Sequence, residues 1–132
     1  MALTKTAEAV KQEMMIAVAL RRECEALEKE WSDLLLALEC DTVEEDSLQA
    51  MECLHRERLA VRRRLTRQQV KNWARVCGGG LTPLQKRILG LRYVQGCTWG
   101  DLTERLKKAK QYLLREHNKA LEKLAEQAFP KT

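Results

Sequence analysis

The sequence is poor in aromatic residues, prolines and strand-forming residues. Aromatic side chains make up 5% of its 132 residues, and only two prolines occur. Valine and isoleucine are scarce, whereas Glu, Lys, Arg, Leu and Ala dominate. This composition gives little support to strands and favours helix almost everywhere. We therefore predict an all-α fold.

Long apolar runs, targeting segments and metal-binding patterns are also missing. The longest apolar run, Met14 to Leu20, has seven residues, whereas a bilayer span needs about 20. No signal peptide opens the sequence. The five cysteines form no C-x-x-C pair, and the two histidines complete no zinc pattern. We expect a cytoplasmic protein with reduced thiols, no membrane contact and no metal.

Patterns that carry catalysis are absent as well. The three glycines at 78–80 are followed by Leu-Thr-Pro and lack the Lys-Ser/Thr of a phosphate-binding loop. The carboxylates fall at surface positions of predicted helices, and none can be paired with a nucleophile. We therefore expect that the protein is not an enzyme and requires no cofactor.

Charge divides the chain into two unlike parts. From Met1 to Leu54 the sequence has 5 Lys/Arg and 13 Asp/Glu, a net charge of −8. From His55 to Thr132 it has 19 Lys/Arg and 6 Asp/Glu, a net charge of +13. A basic half beside an acidic half is typical of a nucleic-acid-binding region joined to a partner-binding region. Mutual neutralisation of the two halves within the fold is the alternative.

The first 38 residues predict one long helix. Their apolar residues recur at steps of three or four without a Gly or Pro. A helix of this length, about 54 Å, exceeds the width of a small domain, so it must pack along another long helix or a second chain. Because the stripe is longer than one partner helix covers neatly, we expect a homodimer through this region. The stripe is Leu3, Ala7, Val10, Met14, Ala17, Leu20, Cys24, Leu27, Trp31, Leu34 and Leu38.

A second long helix is predicted to start near Val43. Thr42 and Glu45 have the spacing of a capping box, and the surrounding acidic residues suit a helix N-terminus. Because only a few residues connect the two helices, they should form an antiparallel hairpin. The inner face of the second helix would use Leu48, Met51, Leu54, Val61, Leu65, Trp73 and Val76.

Three consecutive glycines at 78–80 then interrupt the chain. Glycine is preferred at helix C-termini, and three in succession indicate a flexible hinge. We therefore predict a helical hairpin over 1–77 for dimerisation or partner binding, a hinge over 78–80, and a nucleic-acid-binding helix-turn-helix domain over 81–132.

Two well-marked helix starts follow the glycines. Thr82–Gln85 is a capping box with Pro83 at the first helical position, and Gly96 ends that helix. Thr98–Asp101 repeats the device. A third helix follows Lys107-Lys108-Ala109 and should run to about Gln127, because Pro130 prevents much extension. A short helix, a tight turn and a helix with basic residues at its start predict a helix-turn-helix.

The residues expected to contact DNA lie opposite the predicted buried face of Leu113, Ala120 and Leu121. The major groove admits one helix, whose N-terminal residues contact base edges. Arg115 could bind guanine, and Gln111 or Asn118 could bind adenine. The candidates for base contacts are Lys110, Gln111, Leu114, Arg115 and Asn118, and those for phosphate contacts are Arg105, Lys107, Lys108 and Lys119.

The stretch from Leu81 to Leu124 resembles region four of sigma-70-type transcription factors. It is most similar to the small regulators of this kind in phages and prophages of Gram-positive bacteria, the autolysin-regulator and late-gene-activator group. In that family a helical hairpin precedes the same module. The matching residues are Leu84, Ile88, Leu89, Arg92, Tyr93, Gly96, Thr98, Trp99, Leu102, Leu106, Arg115, His117, Ala120 and Leu121.

The resemblance implies binding to promoter DNA in a bacterial host cell and contact with RNA polymerase. It gives His117 a structural role in the recognition helix rather than a catalytic one. Three positions depart from the family pattern. Lys107 replaces a turn glycine, Ala109 replaces a serine N-cap, and Thr103 replaces a small alanine. These changes leave two outcomes open, a reshaped turn or one fused helix.

Our functional hypothesis is a phage-type transcriptional regulator that binds duplex DNA with the helix starting near Ala109. The alternative is a small phage-encoded inhibitor that binds a host nucleic-acid enzyme through its basic surface, since an altered turn would free that surface for another use. A plainer possibility is a structural coiled-coil protein whose basic half packs on the hairpin.

Overall fold

A computed structural model of the chain describes residues 2–39 and 44–128. These residues form five α-helices and one π-helical turn, with no strand among them. The all-α prediction is confirmed. The predicted Thr42 cap, the helix start at Val43 and the stop at Pro130 lie outside the described residues. The helices are α1 (Lys5–Glu39), α2 (Glu45–Gly78), α3 (Pro83–Leu89), α4 (Trp99–Leu106) and α5 (Lys110–Ala128), and the π-helical turn is Gly90–Val94.

Helices α1 and α2 pack against each other as the predicted hairpin. Asn72 donates a hydrogen bond to the Met14 carbonyl, and Arg58 donates to the Glu28 carboxylate, so the two helices run in opposite directions. The predicted stripe of α1 is confirmed, because each of its positions is buried or half-buried. Helix α2 has 34 residues and α1 has 35. A partner of nearly equal length is thus present within the chain, and the homodimer remains a prediction.

The predicted inner face of α2 is partly wrong. Val61, Leu65 and Val76 are buried, whereas Leu48 and Trp73 are exposed. In an α-helix each residue advances by about 100°, which turns residue 73 away from the buried side. The buried positions in phase with Val61 carry the polar residues Gln68 and Asn72 instead. The apolar pattern therefore predicted Trp73 at the inner face, where the structure places the polar Asn72.

The described residues divide into two compact units. Unit one contains the described residues up to Val18 together with those from Arg67 onward, and unit two contains Ala19–Thr66. This division differs from the boundary predicted at 78–80. Unit one joins the start of α1 and the end of α2 to the C-terminal helices.

One residue of the predicted glycine hinge, Gly79, packs closely against α5. Gly79 is buried, and a Cβ atom there would lie 2.2 Å from Cδ2 of Leu124. The Gln127 side chain donates a 2.8 Å hydrogen bond to the Gly79 carbonyl. Glycine is needed here because α5 approaches the backbone closely.

Unit two is held by charged and aromatic contacts between α1 and α2. Arg58 and Arg62 both bind the Glu28 carboxylate, at 2.8 and 3.1 Å. The guanidinium of Arg58 also lies 4.5 Å from the ring centre of Trp31. The hydrogen bond from Arg58 lowers the pKa of Glu28. Trp31 therefore has the packing role predicted for it.

Unit one contains two adjoining apolar clusters. The larger one combines the first half of α1 with α5 and the π-helical turn, and its members include Val10, Met14, Val76, Tyr93, Leu121 and Leu124. The smaller one, Ile88, Leu91, Cys97, Leu102 and Leu113, lies among α3, α4 and α5. The predicted helix start at Thr82 is confirmed as a complete capping box with Pro83 in the first turn.

A buried amide network joins α1 and α2 to the π-helical turn. The Asn72 side chain donates to the carbonyls of Met14 and Tyr93, at 3.1 and 3.0 Å. Gln68 donates to the Asn72 side chain, and Gln69 donates to the Val94 carbonyl. A π-helical turn changes which carbonyls find partners in their own helix. Side chains of α2 donate hydrogen bonds to two carbonyls of the π-helical turn, those of Tyr93 and Val94.

Candidate nucleic-acid interface

Helix α4 begins at a complete capping box. The Asp101 amide donates to the Thr98 hydroxyl at 3.2 Å, and the Thr98 amide donates to the Asp101 carboxylate at 3.1 Å. The backbone hydrogen bond from Thr98 lowers the pKa of Asp101. Thr103, which stands where the family has alanine, donates its hydroxyl to the Gly100 carbonyl within α4. Its polar atom is thus satisfied without a partner from α5.

The chain turns between α4 and α5, so the fused-helix outcome is excluded. Helix α4 ends at Leu106, Lys107 has the left-handed backbone angles φ 52° and ψ 46°, and α5 begins at Lys110. A non-glycine residue in this conformation costs about 1–2 kcal/mol. The Ala109 carbonyl accepts the first hydrogen bond of α5, which the Leu113 amide donates. The Ala109 side chain is a methyl group and cannot accept a capping hydrogen bond from the helix amides.

Helix α5 separates its buried and exposed faces as the sequence predicted. Leu113, Ala120 and Leu121 are fully buried, together with His117 and Leu124. The nine residues predicted to contact DNA all lie outside this core. Leu114 and Asn118 are half-buried, and Arg105, Lys107, Lys108, Lys110, Gln111, Arg115 and Lys119 are exposed.

Contacts within the chain occupy several of these exposed residues. Lys119 lies 3.4 Å from the Glu116 carboxylate. The ammonium of Lys108 lies 5.5 Å from the ring centre of Tyr112. The Lys119 ammonium is exposed, whereas the Glu116 carboxylate is half-buried and also accepts a hydrogen bond from Gln85.

Asn118 is bound to the core histidine. Its Oδ1 atom lies 2.9 Å from Nδ1 of His117. A bidentate contact with adenine uses both the oxygen and the nitrogen of the carboxamide. The Asn118 oxygen has a second lone pair for another donor, but the contact with His117 sets the orientation of the carboxamide. Sequence patterns did not indicate this internal contact.

His117 is the polar centre beneath α5. It is 2% exposed, and its Nε2 atom lies 2.6 Å from the Tyr93 hydroxyl. The Trp99 ring meets it edge-on at 5.0 Å. Burial lowers the pKa of His117 to about 4 and raises the pKa of Tyr93 to about 12. The neutral imidazole therefore packs on residues of the π-helical turn and α4.

A groove lies between the start of α1 and the candidate interface. Its volume is about 520 Å³, and Lys11 and Gln12 line one side of it. Thr4 ties this end of α1 to α5 by donating backbone and hydroxyl hydrogen bonds to Glu122, each 2.9 Å long. The other side of the groove includes Arg92, Trp99, Leu114 and Asn118. No sequence pattern indicated this neighbour, because the contacting residues Thr4 and Glu122 are 118 residues apart along the chain.

Other kinds of site receive no support from the described residues. No group of three or more His, Cys, Asp or Glu side chains among them is placed to hold a metal ion. None of their helices combines the length and apolarity that a membrane span requires. Comparison of the chain with known protein families, curated proteins and solved structures finds no match in any of the three.

Proposed function

We propose that this protein is a DNA-binding transcriptional regulator of phage type. It would bind duplex DNA through a helix-turn-helix formed by α4, the turn at 107–109 and α5. The observation that carries the proposal is the basic N-terminal half of α5, which is exposed while the opposite face of the same helix is buried. A helix presented in this way can enter the major groove.

The exposed residues divide into two proposed roles. Gln111 and Arg115 would contact base edges, and Asn118 would do so with its orientation fixed by His117. The cations around the turn would bind phosphates, which supply affinity and salt dependence rather than sequence preference. This second group contains Arg105, Lys107, Lys108 and Lys119, and Lys110 and Leu114 complete the candidate surface.

The biological setting comes from the resemblance alone. A regulator of this kind would act in the cytoplasm of a bacterial host cell, at a promoter and in contact with RNA polymerase. The strained Lys107 turn supports the resemblance, because a left-handed residue stands where the family has glycine.

Binding to promoter-containing duplexes tests the proposal. The charge-reversed variant carries Lys110→Glu and Arg115→Glu. The matched control carries Arg63→Glu and Arg64→Glu, which change the net charge equally at exposed positions of unit two. Fluorescence anisotropy should show that the first variant loses about 100-fold or more in affinity and the control loses far less. Equal losses would contradict a specific role for α5.

Affinity purification from host lysate separates the proposal from its rival. Recovery of RNA polymerase favours the regulator, and recovery of a nuclease complex favours the inhibitor of a host enzyme. The inhibitor hypothesis was motivated by an altered turn, and the described chain keeps a turn between α4 and α5 with Lys107 in the left-handed conformation. Duplex DNA is therefore the favoured partner.

A further inference from the structure

An exposed apolar patch lies on the part of α2 that belongs to unit one. Val70 is 64% exposed and Trp73 is 50% exposed. They are three residues apart on one helix, so their side chains are neighbours on its surface. We call these two residues the Trp73 patch. Large apolar side chains that are adjacent and exposed commonly mark an interaction surface.

Trp73 is held in place on its inner side. An added Cβ at Gly90, in the π-helical turn, would lie 3.0 Å from Cζ3 of the Trp73 ring. The indole therefore rests on the backbone of the turn, and half of its surface is left to solvent. A tryptophan fixed in this way loses little side-chain entropy when a partner covers it. Such residues often dominate the energy of an interface.

The surroundings of the patch are positively charged. Arg67 and Lys71 flank Val70 on α2, and both are exposed. From Arg58 to Gly100 the sequence has ten Lys/Arg and no Asp/Glu. Carboxylates on a protein segment that covers the patch would be attracted to Arg67 and Lys71, so an acidic and apolar segment is favoured.

The chain itself contains exposed residues with these properties, in unit two. Leu36 is 61% exposed and Leu48 is 56% exposed. The described residues near them carry several exposed carboxylates. We call this surface the acidic end, and its carboxylates are Glu39, Glu44, Glu45 and Asp46.

We propose that the Trp73 patch binds the acidic end of a second copy of this chain. Leucines of the acidic end would cover Val70 and Trp73, while its carboxylates face Arg67 and Lys71. Each copy carries both surfaces, so the proposed symmetric dimer would make this contact twice. This inference does not depend on DNA binding.

Nucleic acid is a less suitable occupant of the patch. Phosphates would satisfy Arg67 and Lys71 but would leave the aliphatic surface of Val70 in water. An acidic and apolar protein surface would both cover Val70 and pair with Arg67 and Lys71. Binding of DNA at this patch is instead an outcome that the experiment below detects.

Sedimentation velocity with charge-reversed variants tests the proposal. The patch variant carries Arg67→Glu and Lys71→Glu, and the end variant carries Glu45→Lys and Asp46→Lys. All four positions are exposed, and circular dichroism verifies folding. The full-length wild-type chain should sediment as a dimer at micromolar concentration. Each variant alone should dimerise about tenfold or more weakly, because like charges then face each other.

Mixing the two variants gives the decisive result. In a mixed dimer one contact is the wild-type pairing and the other has both charges reversed, so both contacts are attractive. The equimolar mixture should regain the dimer that neither variant forms alone. A monomeric wild-type chain, or a mixture that stays monomeric, overturns the proposal.

Two single substitutions separate this patch from other exposed apolar residues. Val70→Glu should prevent dimerisation, whereas Ile16→Glu, at another exposed apolar position of unit one, should leave it intact. A dimer that persists in Val70→Glu overturns the proposal even if the charge variants weaken association. Loss of DNA affinity in the patch variant while its dimer persists would assign the patch to nucleic acid instead.

Discussion

The Tyr93 hydroxyl lies 2.6 Å from Nε2 of His117, and this contact joins the π-helical turn to α5. On the other side of the ring, Nδ1 lies 2.9 Å from Oδ1 of Asn118. Because a carboxamide oxygen only accepts, Nδ1 carries the hydrogen and Nε2 accepts from the tyrosine. One neutral histidine thus links the core to a residue of the proposed DNA-binding face.

We expect this histidine to make the fold sensitive to acid. The pKa of His117 is lowered to about 4 in the folded chain, compared with 6.5 for an ordinary histidine. The unfolded chain therefore binds the extra proton first, and stability falls as the pH falls from about 6.5 to about 4. The loss across this window should be about 3 kcal/mol.

Urea unfolding followed by circular dichroism measures this loss at a series of pH values. The control is His117→Gln, which removes the titrating group and should be less stable at neutral pH. Its unfolding free energy should depend much less on pH within the same window. An equally steep dependence in the control would assign the acid sensitivity to other groups.

The left-handed turn should be relieved by glycine. Lys107→Gly removes the Cβ atom that is strained at φ 52° and should stabilise the protein by about 1 kcal/mol. Lys107→Ala removes the same charge but keeps the Cβ atom. It should change the stability by no more than about 0.5 kcal/mol. Thermal unfolding of both variants separates the effect of backbone strain on stability from the effect of the lost charge.

A capping residue should strengthen the start of α5. Ala109→Ser places a hydroxyl where it can accept from the first free amides of the helix, and should add about 1 kcal/mol. Lys108→Ser is the control, because a serine one position earlier cannot reach those amides in the same geometry. A gain of similar size in both variants would show that Ala109 is not the N-cap.

The glycine turn offers a matched pair of substitutions. Gly79→Ala places a Cβ 2.2 Å from Leu124 and 3.0 Å from the Arg75 carbonyl oxygen, and should cost about 1–3 kcal/mol. Gly78→Ala meets nothing within 4 Å and should be neutral or stabilising by up to about 1 kcal/mol. Denaturant unfolding of the two variants distinguishes a packed turn from a flexible one, in which neither change would be costly.

Local features of the fold could be predicted from the sequence. The stripe of α1 and the capping boxes at Thr82 and Thr98 depend on spacings of three or four residues, which helix geometry fixes. The exposed and buried faces of α5 follow from the same periodicity. These elements were correct because neighbours along the chain determine them.

Features that depend on distant neighbours could not be predicted. Asn72 is buried because its side chain donates to the carbonyls of Met14 and Tyr93. A prediction of the buried face from apolar residues alone could not include it. The close contact between Gly79 and Leu124 likewise depends on residues that are far apart along the chain. The groove beside α5 likewise forms because Thr4, just before α1, binds Glu122 of α5.

The salt dependence of DNA binding tests the central claim most directly. The affinity for a promoter-containing duplex, measured from about 50 to 200 mM salt, should fall steeply, with a logarithmic slope of about −0.9 for each phosphate contact. Lys107→Ala with Lys108→Ala should make this slope shallower by about two, whereas Arg63→Ala with Arg64→Ala should leave it unchanged. An absence of salt-sensitive binding at the lowest salt, or an identical slope for the two variants, would contradict the account.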